Sequence, residues 1–157
     1  MKTIALFAGS FDPFHLGHLS VVKRVSQLFD SVVIGVAAET GKDTLPIDKR
    51  LHLIKLCIAP YKNVSVVSYR GLTVDFYKEI AASALIRGVR NAADFEYEKN
   101  LAAVNKILHN DVQNCLFLCD IGYDVSSKLV KQLAKLNADL SKFVPCEIMG
   151  LVKELYS

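Results

Sequence analysis

Short apolar runs alternate along the chain with longer segments in which apolar residues recur every three to four positions. Residues 31–38 hold an almost continuous β-branched run, which is typical of a strand covered on both faces. In residues 17–29 the apolar side chains instead follow the spacing i, i+1, i+4, i+7 and i+8, which places them on one face of a helix. The two patterns repeat in turn, so strands and helices are expected to alternate.

This alternation predicts five strands, four helices between them and a helical C-terminal part. The predicted strands are residues 3–8, 31–38, 64–67, 84–86 and 115–118. The predicted helices are residues 17–29, 48–59, 73–82 and 94–108, the last with Asp94 as its N-cap. Farther on, Ser126 is expected to cap a fifth helix and Pro145 to begin a short final one. We therefore predict a single α/β domain over residues 1–157, with a Rossmann-like, doubly wound, five-stranded parallel sheet and a helical C-terminus.

Composition and charge narrow the choice of partners. The 157 residues are 52% hydrophobic and 22% charged, and the net charge of +3 is too small to indicate a nucleic-acid-binding protein. The apolar run near Met1 is too short for a signal peptide, and no stretch approaches the ~20 apolar residues that span a bilayer. A soluble, cytoplasmic protein is expected, without a membrane or nucleic-acid partner. Cys115 and Cys119 flank an apolar run and are expected to be buried thiols.

The residues that follow each predicted strand carry the most information about function, because ligands of an open α/β sheet bind beyond the carboxyl ends of the strands. These segments are residues 9–18, 39–42, 71–73, 87–90 and 120–128. They bring two histidines, several hydroxyls, several glycines and four cations to one edge, the cations being Lys42, Arg87, Arg90 and Lys128. This set indicates a phosphate-binding site.

The usual phosphate loops are absent from the sequence. There is no G-x-G-x-x-G, and the stretch nearest to a P-loop, GVAAETGKD at residues 35–43, has one residue too many between its glycines. It also has Asp43 where a hydroxyl is required. A nucleotide would therefore have to bind at the loop after the first strand.

That loop reads GSFDPFHLGH at residues 9–18. Gly9 allows a close approach of the backbone to a phosphate, and Ser10 offers a hydroxyl and a main-chain N–H. His15 and His18 stand near a predicted helix start, where free N–H groups favour an anion. An imidazole can also donate a hydrogen bond to a phosphoryl oxygen whose charge grows in a transition state.

Three other interpretations of the two histidines stay open on the residues alone. They could form a metal site, although no third ligand is obvious nearby. They could be ordinary polar residues at a helix start. His18 could also activate Ser10 as a nucleophile, with Asp12 as the orienting acid.

Two segments resemble a known family. GSFDPFHLGH resembles the H-x-G-H signature of the nucleotidylyltransferase superfamily. Residues 85–105, LIRGVRNAADFEYEKNLAAVN, resemble the diagnostic internal segment of the bacterial-type phosphopantetheine adenylyltransferases. Residues 9–42 also resemble the opening segment of that family. The resemblance implies transfer of the adenylyl group of ATP to 4′-phosphopantetheine by direct in-line attack, giving dephospho-coenzyme A and pyrophosphate. It further implies Mg²⁺ held mainly by the ATP phosphates, a homohexamer, and inhibition by coenzyme A.

The resemblance also implies a role for each residue that matches the family pattern. The expected catalytic residues are His18, Lys42, Arg90 and Ser10. The expected ATP-binding residues are Ser10, Phe11, His15, Gly17, His18, Gly88, Arg90, Glu98, Ser126, Ser127 and Lys128. The expected 4′-phosphopantetheine-binding residues are Ser10, Lys42, Leu72, Thr73, Arg87 and Asn105.

The sequence departs from the family pattern near its second nucleotide motif, which is usually I-S-S-[ST]. Here residues 124–131 read DVSSKLVK, so Lys128 replaces a hydroxyl, and Tyr123 and Asp124 replace a usual Ser-Phe. We hypothesise that Lys128 contacts the polyphosphate. Two alternatives remain: a related transferase acting on glycerol 3-phosphate, nicotinate mononucleotide or another phosphate, possibly with CTP, and a diverged, inactive nucleotide-binding or regulatory protein.

Overall fold

Strands and helices alternate in the computed structural model as the apolar pattern predicts. The structure describes residues 1–41, 43–120, 122 and 124–157, so Lys42 and Tyr123 lie outside the described residues. The strands are β1 (Ile4–Gly9), β2 (Ser31–Ala37), β3 (Val64–Tyr69), β4 (Ala84–Val89) and β5 (Asn114–Leu118). The helices are α1 (Leu16–Leu28), α2 (Ile47–Ile58), α3 (Thr73–Glu79), α4 (Ala92–Leu108), α5 (Ser127–Lys135) and α6 (Met149–Tyr156).

The strands form one parallel sheet in the order β3-β2-β1-β4-β5. The chain builds outward from β1 in one direction through β2 and β3, and then returns to the other side of β1 to place β4 and β5. The order therefore reverses between β1 and β4, which is the position where open α/β sheets bind ligands. The predicted Rossmann-like, doubly wound fold with a helical C-terminus is confirmed.

The sheet is buried on both faces, because successive side chains of a strand point to opposite sides. In β1, Ala5 and Phe7 belong to a large core with α1, α2, α5 and α6, while Leu6 and Ala8 belong to a smaller core on the other face with α3. In the part of the chain that the structure describes, no helix has the length and apolar character needed to cross a membrane.

The fourth strand is longer than predicted, which changes where the arginine segment lies. The sequence predicts a strand over residues 84–86, but β4 runs on to Val89. The pairing explains the extension: β4 pairs with β1 only through Ile86, whereas its partner β5 continues to pair with Arg87, Gly88 and Val89. Arg87 and Gly88 therefore belong to the last residues of β4 and not to the loop after it.

Three predicted helix boundaries are wrong. Asp94 does not cap α4: Asn91 does, and its side-chain oxygen accepts from the Asp94 N–H at 2.9 Å. The third helix ends at Glu79, because Ala81 takes a left-handed conformation with φ of 52° and its N–H turns back to Lys78. The last helix begins at Met149 and not at Pro145, whose carbonyl accepts from Ile148 in a preceding turn.

Candidate active site

A cavity of about 300 Å³ lies at the carboxyl ends of β1 and β4, where the strand order reverses. Its walls come from the end of β1 and the loop after it, the first turns of α1, the end of β4, one face of α4, and the segment before α5. Ten of the eleven residues expected to bind ATP line this cavity. They are Ser10, Phe11, His15, Gly17, His18, Gly88, Arg90, Glu98, Ser126 and Ser127. The eleventh, Lys128, is exposed in the first turn of α5 and is not among the lining residues.

The two histidines form a reciprocal cap at the start of α1. His15 is the N-cap residue, and its Nδ1 accepts from the N–H groups of Gly17 at 3.1 Å and of His18 at 3.4 Å. In return, the Nδ1 of His18 accepts from the His15 N–H at 3.2 Å. The arrangement is a capping box with imidazoles in place of the usual hydroxyl and carboxylate. One nitrogen of each ring, Nδ1, therefore serves as a polar group at a helix start, which was one of the open interpretations.

Both histidines are held neutral. Burial and the nearby charge of Arg90 lower the pKa of His15 from 6.5 to about 3. Burial also lowers the pKa of His18 well below its ordinary value, and His15, Arg87 and Arg90 add to that shift. The two rings stack with centroids 3.6 Å apart, an arrangement that two cations would oppose.

Neutral rings with an accepting Nδ1 carry their remaining proton on Nε2. Each histidine therefore presents a single Nε2–H donor, fixed in direction by the cap. The ring of His18 also lies against three phenylalanine rings, with centroid distances of 6.2 Å to Phe7, 4.9 Å to Phe11 and 5.4 Å to Phe14. Such an apolar surrounding strengthens a hydrogen bond to a developing negative charge, because fewer solvent dipoles screen it.

The glycine before the loop makes room for one of those phenylalanines. A Cβ atom on Gly9 would stand 3.2 Å from the Cζ of Phe11, so this position allows the Phe11 ring to pack under the cavity. Phe11 itself has φ of 48°, a strained conformation for a residue with a side chain. The sequence predicts that Gly9 serves a close approach to phosphate; the structure adds a packing reason for the same glycine.

Arg87 is anchored by Glu98 across the cavity floor. Its Nε lies 3.0 Å from both carboxylate oxygens of Glu98 and its Nη2 lies 2.9 Å from Oε1, while Nη1 donates to the Ala8 carbonyl at 2.8 Å. The Glu98 side chain is 9% exposed. Three of the five guanidinium N–H groups are thus engaged, and two remain for a ligand. Glu98, which was expected to bind the nucleotide, pairs with Arg87 in this structure.

Arg90 is held by Asp94 in the same way. Asp94 accepts from the Arg90 Nε at 2.8 Å, from Nη2 at 3.1 Å and from the Arg90 main-chain N–H at 3.0 Å. The Arg90 Nη1 donates to the Val125 carbonyl at 3.2 Å. These hydrogen bonds raise the pKa of Arg90 and lower that of Asp94, so the pair stays charged. Arg90 is therefore oriented before any ligand arrives.

The start of α5 also lines the cavity. The Ser126 Oγ accepts from the Leu129 N–H at 3.1 Å as the N-cap, and the Ser127 Oγ donates to the Pro13 carbonyl at 2.9 Å. The second bond ties α5 to the loop of residues 10–15 between β1 and α1, here called the histidine loop. The free N–H groups of this helix start add to the positive field of the cavity.

The residues expected to bind 4′-phosphopantetheine are only partly brought together. Ser10 and Arg87 line the cavity, whereas Leu72, Thr73 and Asn105 do not. Leu72 is 52% exposed, the Thr73 hydroxyl lies 2.8 Å from the Tyr69 hydroxyl, and Asn105 is buried on α4. Lys42 is outside the described residues.

The cavity also contains residues that sequence reasoning missed. Asp94 and Tyr97 line it together with Glu98, and the spacing i, i+3, i+4 already places these three on one face of α4. Cys119 lines the cavity as well and is half-buried, so its predicted core position is wrong. Burial raises the pKa of this thiol, which keeps it protonated.

The geometry speaks against two of the open interpretations of the histidines, the metal site and the activated serine. Among the residues that the structure describes, no three His, Cys, Asp or Glu side chains lie close enough to hold a metal ion. Asp12 cannot orient His18, because its carboxylate is engaged by Tyr156 at 2.6 Å, by the Leu45 N–H at 3.1 Å and by Lys131. His18 in turn uses Nδ1 for the His15 N–H. A nucleophilic Ser10–His18–Asp12 arrangement is therefore absent.

Known proteins resemble this chain in sequence and in fold. A cytidylyltransferase-like family model matches residues 6–133. A phosphopantetheine adenylyltransferase from Lachnoclostridium phytofermentans is 40% identical over 156 residues, covering 98% of this chain and 96% of the relative. One from Limosilactobacillus fermentum is 43% identical, covering 92% and 85%.

A solved structure supports the fold independently. It is that of a protein from Vibrio parahaemolyticus assigned as a nicotinate-nucleotide adenylyltransferase. The two chains superpose with a TM-score of 0.69 over 97% of this chain and 99% of the other, at 20% identity. At that identity the likeness concerns the fold alone.

Proposed function

Because the chain belongs to the cytidylyltransferase-like family and, within it, to the phosphopantetheine adenylyltransferases, we propose that it transfers the adenylyl group of ATP to 4′-phosphopantetheine. The products are dephospho-coenzyme A and pyrophosphate, as in the penultimate step of coenzyme A synthesis. The observation that carries the proposal is the cavity between β1 and β4, where two neutral imidazoles and two oriented arginines surround one space.

The reaction needs positioning and charge stabilisation more than it needs a base. An oxygen of the acceptor phosphate attacks the α-phosphorus of ATP, the new P–O bond forms, and the bond between the α-phosphorus and the bridging oxygen breaks. Pyrophosphate leaves with that oxygen and the electron pair. The acceptor phosphate is already an anionic nucleophile, so the chain has only to hold two anions in line and stabilise the charge that grows at the α-phosphate.

His18 has the geometry for that stabilisation. Its Nε2–H is a neutral, fixed donor in an apolar surrounding, and such preorganised donors contribute about 2.7–4 kcal/mol each to a transition state. A neutral donor strengthens its bond as charge develops and does not trap the ground-state anions as tightly as a cation would. His15 supplies a second donor, which we assign to the triphosphate.

The remaining roles follow the family resemblance, and for those residues that line the cavity their position supports the role as well. Arg90 neutralises the ATP phosphates, and Ser10 contacts the phosphates and positions the acceptor. Arg87 uses its two free N–H groups for the acceptor phosphate, together with Lys42. Phe11, Gly17, Gly88, Glu98, Ser126, Ser127 and Lys128 form the rest of the nucleotide site. Leu72, Thr73 and Asn105 contact the pantetheine arm.

The residues of the cavity fit Mg²⁺ only if ATP brings most of its ligands. The two carboxylates that line the cavity, Asp94 and Glu98, are each engaged by an arginine. Mg²⁺ is commonly bound through substrate phosphates and retained waters, and when bound it neutralises phosphate charge. We therefore propose that the ATP phosphates hold Mg²⁺, while Arg90 binds the remaining anionic oxygens of ATP and Arg87 binds the acceptor phosphate.

Three further expectations from the resemblance belong to this proposal: a cytoplasmic location, a homohexamer and inhibition by coenzyme A. The surface of α4 supports the oligomer. Its Phe95, Tyr97, Val104, Ile107 and Leu108 are all at least 45% exposed. A monomer rarely leaves so many large apolar side chains of one helix in water.

One assay tests the proposed reaction against its alternatives. The protein is incubated with Mg²⁺ and either ATP or CTP, together with 4′-phosphopantetheine, nicotinate mononucleotide or glycerol 3-phosphate. We expect dephospho-coenzyme A and an equal amount of pyrophosphate only from ATP with 4′-phosphopantetheine. Turnover of another pair would assign a related transferase, and no turnover with any pair would indicate an inactive nucleotide-binding protein.

A further inference from the structure

Arg50 is a buried cation that the proposed reaction does not use. It lies in the first turn of α2, and only 2% of the residue is exposed. Arginine is almost never buried without a partner, so the position calls for a physical reason. It is not among the residues that line the cavity.

The partners of Arg50 are carbonyl groups of the backbone. Its Nη1 donates to the Ser10 carbonyl at 2.8 Å and to the Ala37 carbonyl at 2.9 Å. Its Nε donates to the Leu45 carbonyl at 2.8 Å, and Nη2 lies 3.4 Å from the Ala38 carbonyl. One guanidinium group thus joins the end of β1, the end of β2 and the segment that enters α2.

The carboxylate of Asp12 binds one of the segments that Arg50 holds. Asp12 forms no direct ion pair with Arg50, but its negative charge opposes the lowering of the Arg50 pKa that burial causes. The carboxylate of Asp12 accepts from the Leu45 N–H at 3.1 Å, while the Leu45 carbonyl accepts from Arg50. The peptide groups of Leu45 are therefore held from both sides, between the histidine loop and α2.

We propose that Arg50 is a positioning residue for adenylyl transfer, an inference that rests on the proposed function. It fixes the main chain at Ser10, whose side chain lines the cavity, relative to the end of β2. The same guanidinium group holds the Leu45 carbonyl at the entry to α2. Arg50 therefore keeps Ser10, to which we assign contact with the phosphates and positioning of the acceptor, at a fixed place relative to the ends of β1 and β2.

The planar fork of arginine is essential to this role. Five N–H groups with fixed directions reach four carbonyls in three segments, whereas a lysine ammonium is a point charge with a shorter span of donors. Arg50→Lys keeps the charge and loses the simultaneous contacts. Because a misplacement of about 1 Å can cost on the order of a hundredfold in rate, we expect kcat to fall about tenfold to hundredfold. The KM for ATP should change less than about threefold.

Asn63 provides a matched structural control at the opposite edge of the sheet. Its Nδ2 donates to the Ser26 carbonyl at 2.8 Å and to the Phe29 carbonyl at 3.1 Å, so it also joins backbone segments that are distant in sequence. These segments lie at the amino ends of β2 and β3, away from the cavity. Asn63→Ala should lower the Tm and leave kcat per folded molecule unchanged.

The experiment compares wild type, Arg50→Lys, Arg50→Gln and Asn63→Ala, with the folded fraction measured by circular dichroism at the assay temperature. A fall in kcat per folded molecule in both Arg50 variants, without one in Asn63→Ala, supports the proposal. Equal kcat in folded Arg50→Lys and wild type would overturn it, and so would failure of both Arg50 variants to fold, since Arg50 would then hold the fold and not the site. If wild type itself forms no dephospho-coenzyme A, the proposed function fails, and this result is distinct from the other two.

Discussion

His15 and His18 each use one ring nitrogen for folding and leave the other for a ligand. Their Nδ1 atoms complete the cap of α1, and this fixes the direction of the two Nε2–H groups. The same backbone bonds that start the helix therefore aim the donors. A histidine is suited to both tasks because its neutral ring has one acceptor and one donor.

The two functions of His18 can be separated by substitution. An asparagine oxygen can replace Nδ1 in the cap but has no donor at the place of Nε2, whereas the glutamine amide reaches that place. We expect His18→Asn to lower kcat by about 10²–10³, the usual cost of losing one such donor. His18→Gln should retain more activity, and His18→Ala should lower kcat far more than it raises KM. Steady-state kinetics for both substrates measure this, and a change confined to KM would contradict the role of His18 in the transition state.

The lowered pKa of His15 predicts how stability depends on pH. In the unfolded chain the ring takes up a proton near its ordinary pKa of 6.5, whereas in the folded chain the pKa is about 3. The unfolded state therefore binds more protons between these values, and stability is lost as the pH falls from 6.5 towards 3. His15 contributes about 1.4 kcal/mol of this loss for each pH unit.

His15→Asn isolates that contribution, because asparagine is a good N-cap that does not titrate. Urea unfolding at pH 7, 5.5 and 4.5 should give a smaller loss of stability for His15→Asn than for wild type. The protonation of His18 remains in both proteins. Equal losses would mean that His15 is already charged in the folded state.

Lys128 is the residue for which the sequence hypothesis is least supported by position. It is exposed and outside the cavity lining, although it directly follows Ser126 and Ser127. A long lysine side chain can still reach a polyphosphate that extends from the cavity. We expect Lys128→Ser to raise the KM for ATP severalfold with kcat unchanged, because the contact serves binding and not the transition state. An unchanged KM would reject the contact.

At the scale of elements, α4 joins the two arginines of the site to the fold. Asp94 and Glu98 are one helical turn apart. Glu98 orients Arg87 on β4, and Asp94 orients Arg90 directly after β4. The helix reaches this position because Asn91 caps it directly after Arg90. The spacing of Asp94, Tyr97 and Glu98 in the sequence could suggest that they share one face of α4. The sequence could not show that Asn91 and not Asp94 is the N-cap, because this depends on Arg90, which engages the Asp94 carboxylate.

The cap of α4 should affect stability without affecting the chemistry. Asn91→Ala removes the acceptor for the Asp94 N–H and should cost about 1 kcal/mol in the free energy of unfolding. Asn91→Ser restores an acceptor and should recover most of that loss. Because the Arg90–Asp94 pair is formed by other atoms, kcat should stay at the wild-type value in both variants. A large fall in kcat for Asn91→Ala alone would show that the cap also orients Arg90.

The apolar pattern predicts elements better than it predicts their ends. All five strands and the order of helices follow from runs and spacing, since burial on both faces leaves a clear pattern. The second half of β4 could not be predicted from the apolar pattern, because it depends on pairing with β5. The early end of α3 could not be predicted either, because it depends on the left-handed conformation of Ala81. Both are effects of neighbours that are distant in sequence or of a backbone conformation that alanine rarely adopts.

At the scale of the whole molecule, the site is a consequence of topology. The strand order reverses between β1 and β4, and the carboxyl ends of these two strands carry polar residues that line the cavity. The family resemblance named ten residues as nucleotide-binding that the structure brings together at that cavity. The sequence did not reveal the carboxylates that hold Arg87 and Arg90, because an ion pair depends on how two elements pack.

The exposed apolar side chains of α4 make the proposed homohexamer testable. Ile107 is 84% exposed, and a charge in its place should oppose burial against a second copy of the chain. We expect the wild type to have six times the chain mass of 17.4 kDa by light scattering, and Ile107→Glu to give smaller species. Leu28→Glu is the control, since Leu28 is 66% exposed at the end of α1. A wild-type monomer would remove the homohexamer from the proposal.

The central claim is that the cavity aligns two phosphates and supplies no nucleophile of its own. The configuration at the α-phosphorus tests this most directly, with a single diastereomer of ATPαS as donor and 4′-phosphopantetheine as acceptor. A single in-line displacement predicts a sulfur-containing dephospho-coenzyme A with inverted configuration. Retention would contradict the claim, because it requires two displacements and a covalent adenylyl group on the protein.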